Sequence, residues 1–418
     1  MKRAVSVLRH YVYRAGSLCL NGWMYLLFLL EFFPIGSRPR GIFLVSQGLS
    51  SAARWSGGDL ALTRSGKRVS NHDGQEFAGA SRPVYERTDS VQILKDVRLF
   101  ALRRFNSVFQ GSRCFISPRS EPSPWDFGVS QNGDLPLVIR QHGKLIEIRA
   151  PRKRDVIPCG IYIGARSPTN YYHWLVNALP SLYEMNLSAN IPEDFPVIVP
   201  SEVRKFSTLW DPLVALAGKR EVHLWPKDVE LSVQRCAVIE SPPVYDTPLS
   251  CEKSRRLPLT IDRETMAGFR EHLFRNFPQG SHVGGYPERL YLARRGDDIR
   301  APNGADLMKI AIEFGFEIVY CEKESFATQM RIFESAKIVI GPSGAAFANV
   351  LFCSPGARVM MWKPEPVPSE NMFENLALIS GADFETTYLG GFGSVDSSGS
   401  QWVFPTREFR RSLEKVIQ

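Results

Sequence analysis

The sequence predicts an α/β fold made of two parallel-sheet halves behind an apolar N-terminal segment. Three observations carry that expectation. Short apolar runs alternate with helical stretches from about residue 155 onward, a helical spacing near residue 310 lies between two strand-like runs, and a glycine turn after residue 340 joins a third run to a small-residue helix. The chain has 418 residues, 44% hydrophobic and 22% charged, an ordinary globular composition with length for two to three domains.

In chain order, Ala15 to Leu30 contains no charge, includes Trp23, Met24, Tyr25 and Phe28, and follows Lys2, Arg3, Arg9 and Arg14. Glu31 and Pro34 cut it short of the roughly 20 apolar residues of a full span, and Phe32, Phe33, Pro34 and Ile35 stand where a signal peptide needs small residues. An interfacial or re-entrant anchor is the leading expectation, a spanning signal anchor the second and a core helix the third. The first two place the chain at a membrane surface. Residues 41–90 are Gly/Ser-rich with weak periodicity and read as a linker or irregular extension.

From Val91 the pattern is richer in strands, and Gln141-His142-Gly143-Lys144 reads as a hairpin turn between Leu137–Ile139 and Leu145–Ile148. Arg152, Lys153 and Arg154, bracketed by Pro151 and Pro158, read as a solvated loop. Gly160–Gly164, Val197–Val199, Val222–Leu224 and Ala237–Ile239 then read as strands, with helices at Tyr171–Leu179 and Leu213–Ala217. A break at Ser241-Pro242-Pro243 leads into the second half. There an amphipathic helix spans Arg263–Phe274 and a strand Arg289–Ala293, before Leu307, Ile310, Ala311 and Phe314 mark a helix that stops at Gly315. Phe316–Tyr320 is a strand, Ser325 caps a helix burying Phe326, Met330 and Phe333, and Ile338–Ile340 leads through Gly341-Pro342-Ser343-Gly344 to a helix at Ala345–Phe352 and a strand at Val359–Trp362. Successive β-α-β winding is Rossmann-like, with a ligand expected beyond the carboxyl ends of the strands. The expected divisions are 1–40, 41–90, 91–250 and 251–418.

A formal net charge of +8 suits anionic partners. Nucleic acid is disfavoured, because zinc-finger spacing, RNP-like aromatics and long Lys/Arg blocks are all missing. Seven dispersed cysteines without a CxxC pair point to neither a disulfide framework nor a zinc site, and favour a reducing compartment. The seven histidines never fall at metal-binding helical spacing.

Two constellations could carry chemistry. The 341–344 turn and Arg294, Arg295 and Arg300 lie at strand ends, where a helix N-terminus and guanidinium forks favour a phosphate. The plain alternative is an arginine loop paired with Asp297 and Asp298. In Asn170-Tyr171-Tyr172-His173-Trp174-Leu175, His173 can take a proton near neutral pH, the aromatic rings could stack on a sugar, and Asn177, one turn on, could orient the imidazole. The alternative there is an aromatic core helix with one hydrogen-bonded histidine.

Taken together, the spaced motifs resemble glycosyltransferase family 61. They are Asn170 to Leu175 with Leu179-Pro180, then Arg294, Arg300 and Asn303, then Gly315-Phe316, then Ser325-Phe326 with Gln329, and finally Gly341, Gly344, Ala348 and Asn349. The likeness covers roughly residues 155–365. It implies an inverting transferase of GT-B architecture, two Rossmann-like domains facing a cleft, using a nucleotide-sugar as substrate with no cofactor and no obligatory metal. A donor site is implied at Arg294, Arg300, Asn303, Gln329, Ser343, Gly344 and Asn349, and an acceptor site at Asn170, Tyr172, Trp174 and Asn177, with His173 as the base. The acceptor would be a saccharide or glycolipid in surface (capsular) polysaccharide synthesis; the dispersed cysteines favour the cytoplasmic face of a bacterial inner membrane, with a lumenal domain behind a spanning signal anchor as the alternative. No D-x-D carboxylate pair occurs, in keeping with metal independence. Three departures stand out. Ser343 replaces a usual His, Asn177 lies where relatives often have an acid, and Met360-Met361-Trp362 lacks a Glu. They motivate a rival reading as a catalytically silent saccharide- or nucleotide-binding subunit of a membrane assembly complex.

Overall fold

The computed structural model describes residues 91–100, 153–164, 168–188, 190–227, 229–239, 262–278, 285–294, 303–363, 373–389 and 403–418, together with the backbone of several further strands. The first sheet contains β1 (Tyr85–Leu99), β2 (Lys153–Tyr162), β3 (Val197–Pro200), β4 (Val222–Trp225) and β5 (Val229–Ile239), in the order β4-β3-β2-β5-β1. The first four of that order pair in parallel and β1 adds antiparallel to β5. Helix α1 (Leu179–Asn186) lies in the connection from β2 to β3, and α2 (Ser207–Ala217) in that from β3 to β4.

The second sheet holds β6 (Arg289–Leu292), β7 (Glu317–Val319), β8 (Ile338–Pro342), β9 (Arg358–Pro364) and β10 (Asp383–Leu389), all parallel in the order β7-β6-β8-β9-β10. That order reverses between β6 and β8, so the crevice beyond their carboxyl ends is the switch point at which open α/β sheets take ligands. Around the sheet run α3 (Arg263–Asn276), α4 (Gly304–Glu313), α5 (Phe326–Ser335), α6 (Met372–Ser380) and α7 (Thr406–Ile417). Helix α4 ends in a Schellman closure: Phe316 N–H donates to Ala311 O at 3.0 Å, Gly315 N–H to Ile312 O at 2.9 Å, and Gly315 takes φ +76. The Ser325 hydroxyl accepts from Thr328 N–H at 3.1 Å and starts α5.

Alternation along the strands divides the core in two. Tyr291, Ala293, Ile338, Ile340, Met360 and Trp362 face α4 and α7, meeting Leu307, Ile310, Phe409 and Leu413. Leu290, Leu292, Val339, Val359 and Met361 face the other way, in one cluster with Phe326, Phe333 and Phe347 and also with Trp174, Leu179, Val197 and Leu213 of the first half. A single apolar core therefore runs from one sheet to the other through the helices between them.

Most expected elements are present with longer bounds. β2 begins at Lys153, so Lys153 and Arg154 are strand residues rather than loop; they are solvated at its start, where Arg154 and Arg98 flank the buried Glu230 carboxylate at 3.5 and 3.9 Å. Gly341 and Pro342 belong to β8, which shrinks the expected four-residue turn to Ser343-Gly344. The 41–90 stretch, read as irregular, contributes Arg40–Gln47, Asp59–Arg68 and the start of β1 to the first sheet. Its Gly and Ser content hides the alternation that marks a strand. Strands Val138–His142 and Leu145–Arg149 pair antiparallel as the hairpin reading expects. The apolar N-terminal segment lies outside the described residues, among which no helix is long and apolar enough to cross a membrane.

Candidate functional site

The switch point is built by close approach. A Cβ on Gly341 would lie 2.9 Å from Leu292 O, so glycine lets β8 press against β6. Just beyond, a Cβ on Gly344 would meet the Arg294 guanidinium at 2.6 Å from Nη2 and 2.9 Å from Nε. The φ of Gly344 is −175, extended backbone open to any residue, so what glycine supplies here is room for the guanidinium. Ser343 N–H donates to Trp362 O at 2.9 Å and ties the turn to β9. From Gly344 the chain enters a 3-10 helix, Ala345–Phe352, whose leading N–H groups have no carbonyl within their own helix to bond. A guanidinium lying over the start of a helix is suited to an anion.

The histidine turn has a different origin. Asn170 starts it, its Oδ1 accepting His173 N–H at 3.3 Å and its backbone carbonyl accepting Trp174 N–H at 3.0 Å. His173–Ala178 is π-helical and runs directly into α1. Pro180 explains the widening, because it has no N–H to offer the carbonyl of Val176 and the ordinary ladder fails there. In the widened turn His173 Nδ1 and Asn177 Oδ1 stand 3.0 Å apart. With Asn177 as acceptor, Nδ1 carries the proton and Nε2 holds the basic lone pair. Trp174 points the opposite way. It is 1% exposed and donates Nε1–H to Leu209 O at 2.8 Å, so the indole expected to stack on a sugar lies in the core. Tyr172 is likewise buried, edge-on to His173 at 5.3 Å and to Phe373 at 5.5 Å, so its ring supports the histidine rather than offering a platform.

The 3-10 helix joins the two constellations. Phe373, beside Tyr172, also packs on Phe347 with ring centroids 5.8 Å apart. Tyr171 donates its hydroxyl proton to Asn349 Oδ1 at 2.5 Å, Asn349 Nδ2 donates to Gln329 Oε1 at 2.8 Å, and Gln329 Nε2 donates to Cys321 O at 2.7 Å. At a rise of about 2 Å per residue, Asn349 stands on the order of 10 Å along the axis from Gly344. The C-terminal end of this helix is held by Arg270, which donates to Leu351 O at 2.8 Å and Cys353 O at 3.0 Å. Burial pushes the Tyr171 hydroxyl well above the usual phenol range, so it stays a donor at all physiological pH values. Tyr171→Phe removes one oxygen and leaves Asn349 with an unsatisfied buried acceptor. The expected result is a loss of about 1–3 kcal/mol, read from urea unfolding as a lower midpoint at constant slope.

Gln329 and Asn349, expected at the donor site, are hydrogen-bonded within the protein. Both are buried and spend their amides on one another, Tyr171 and Cys321, so they place the helix. Asn303 also turns to the protein, its Nδ2 donating to Phe404 O at 2.8 Å. Arg300 lies outside the described residues. Arg294, Ser343 and Gly344 meet at one turn, and Asn170, His173 and Asn177 at the other. The sequence reading took Tyr171 only as an aromatic face and missed its hydroxyl contact with Asn349, and it missed Phe373 altogether. No group of metal-ligating side chains occurs among the described residues, and Cys159, Cys236, Cys321 and Cys353 are free thiols, with burial pushing Cys321 and Cys353 up to about 12.

Among known protein families, the one described as Glycosyltransferase 61 matches residues 171–360, an interval that begins at the Tyr171 hydroxyl contact and ends in β9. No curated protein matches the chain.

Proposed function

We propose, from the match of residues 171–360 to the Glycosyltransferase 61 family, that the chain moves a sugar from a nucleotide-sugar donor to a saccharide or glycolipid acceptor with inversion at the anomeric carbon. The observation that carries this reading is the Arg294 guanidinium seated on Gly344 at the switch point of the parallel sheet. A diphosphate leaving group needs its charge met at that place, by forked donors and a helix start. Across the 3-10 helix, His173 supplies the other requirement.

In the proposed reaction Nε2 of His173 takes the acceptor hydroxyl proton while the hydroxyl oxygen bonds to the anomeric carbon. The bond from that carbon to the diphosphate oxygen breaks, and its electron pair leaves with the diphosphate against Arg294. Asn177 holds the tautomer this requires. Cationic side chains and a helix start take the place a metal has in D-x-D transferases, and the two halves act in the GT-B manner, donor on the second sheet and acceptor at the histidine turn. The apolar segment and the basic balance of the chain support work at a membrane surface, the dispersed cysteines favour its cytoplasmic side, and the family likeness suggests surface polysaccharide synthesis.

A thermal-shift panel of UDP-, GDP-, CMP- and dTDP-sugars, with and without EDTA, tests the donor half. One nucleotide class should raise the melting temperature in both conditions. Absence of any shift at millimolar donor would sink the transferase reading in favour of a silent assembly subunit, and a shift abolished by EDTA would remove metal independence.

A further inference from the structure

We infer that the solvent side of α2 is a docking surface for an anionic lipid bilayer; the inference rests on the membrane reading above and names where the folded part of the chain meets that surface. Helix α2 packs against α1, α3 and α5, and its Leu209, Leu213 and Leu216 are buried in the core they share. Its solvent side is apolar as well. Phe206 is 47% exposed and Val214 43%, with the half-buried Trp210 between them. Trp210 N–H donates to Phe206 O at 2.9 Å and Gly218 N–H to Val214 O at 3.1 Å, so the three side chains follow one another a turn apart in one stripe. Leu187, 55% exposed, follows Asn186, whose amide donates to Leu216 O, and adds an apolar group beside the last turn of α2. Single exposed apolar residues are ordinary, whereas a continuous stripe with aromatic rings marks a contact.

Charge identifies the occupant. Exposed cations stand at both ends of the stripe, Arg204 and Lys205 before it and Lys219 after it. The Arg204 guanidinium lies 5.6 Å from the Trp210 ring centroid, so cation and ring share one spot. Aromatic rings at headgroup depth, an apolar strip beside them and long cations reaching for phosphates are what an interfacial helix presents to a bilayer. The acids on these turns are Glu202 and Asp211, and burial pushes the Asp211 carboxyl above its ordinary range, which eases its neutralisation near anionic headgroups. A second copy seated stripe to stripe about a two-fold axis would set these cations against one another, whereas lipid phosphates meet them all. In the sequence, Lys2, Arg3, Arg9 and Arg14 ahead of the uncharged residues 15–30 favour the same kind of surface.

The position of the stripe matters to the proposed reaction. Trp174 spends its N–H on Leu209 O, so the turn that carries His173 is fastened to α2 itself. A helix about 10 Å thick then separates that turn from the bilayer. Of the two acceptor classes, a glycolipid is the one such a surface brings within reach.

The test is photolabelling of the full chain on vesicles of phosphatidylcholine, with and without phosphatidylglycerol, that contain a lipid with a diazirine in its acyl chain; peptide mass spectrometry locates the label. The expected result is label on the peptide holding Phe206, Trp210 and Val214 that depends on phosphatidylglycerol. Phe206→Ser with Val214→Ser, and separately Arg204→Gln with Lys205→Gln, should each cut that label on the order of tenfold. Melting temperatures and nucleotide-sugar shifts should stay as in the parent, since these side chains are exposed. Label confined to residues 15–30, or equal label on vesicles without phosphatidylglycerol, overturns anionic docking by α2. A parent that sediments as a dimer while Phe206→Ser with Val214→Ser sediments as a monomer overturns it in favour of self-association. Label at α2 in a parent that shifts with no nucleotide-sugar keeps the docking surface and sinks the transferase reading instead.

Discussion

Arg294→Ala is expected to lower donor-dependent turnover on the order of 10²–10³-fold, the usual cost of removing one preorganised donor from a developing anion. The melting temperature should stay close to that of the parent, since Arg294 is a rim residue of the crevice rather than part of the core. Gly344→Ala gives a sharper version of the same experiment. The added methyl would sit 2.6 Å from Nη2, and the far end of an arginine can swing away at little cost to folding. The backbone at Gly344 accepts alanine without strain because its φ is −175. The fold should survive and the guanidinium should leave its place, so the variant ought to behave like Arg294→Ala in donor binding. Parent-like binding in Gly344→Ala, measured alongside a clear loss in Arg294→Ala, would mean that the contact with the turn does not matter to the guanidinium's task.

His173→Ala should act on a different quantity. Loss of a positioned general base costs about 10²–10⁴-fold in kcat, while donor affinity and the donor KM should hold, because in the proposed reaction the imidazole meets the acceptor. Asn177→Leu should reproduce part of that loss by freeing the tautomer that the 3.0 Å contact selects. A drop in donor affinity equal to the drop in kcat would place His173 at the donor instead. Equal turnover in parent and His173→Ala would exclude it as the base.

The second sheet was readable because its signals are local. Leu307, Ile310 and Ala311 show their helical period, Gly315 its stop and Ser325 its cap, and each is realised within a few residues of chain. The histidine turn was readable as a helix but not as a π-helix, since the widening depends on which carbonyl Pro180 leaves unmet. Trp174 marks the limit of composition as a guide. An indole beside a histidine has the look of a sugar platform, and only the carbonyl of Leu209, 35 residues away, shows where its N–H is spent. Tyr171, Gln329 and Asn349 were picked out by the sequence without their mutual hydrogen bonds for the same reason, as each is satisfied by a group distant in sequence. Helices α6 and α7 and strand β10 complete the second sheet, yet the spacing argument stopped at β9. Their periodic signal follows a Pro- and Gly-rich stretch that interrupts the count.

The shared apolar layer between the sheets bears on how such a protein could be re-engineered. Trp174, Leu213, Phe326 and Phe347 belong to one contiguous cluster, so the second-sheet portion, proposed to bind the donor, owns only part of the surface it packs against. A chimera that grafts this portion onto the acceptor portion of a relative would set two unmatched halves of a jigsaw face to face, with voids and overlaps each costing on the order of 1–3 kcal/mol. Donor preference should therefore transfer by exchanging the few crevice positions around Arg294 and Ser343-Gly344. Wholesale transplantation would succeed where the interleaving helices travel with the graft.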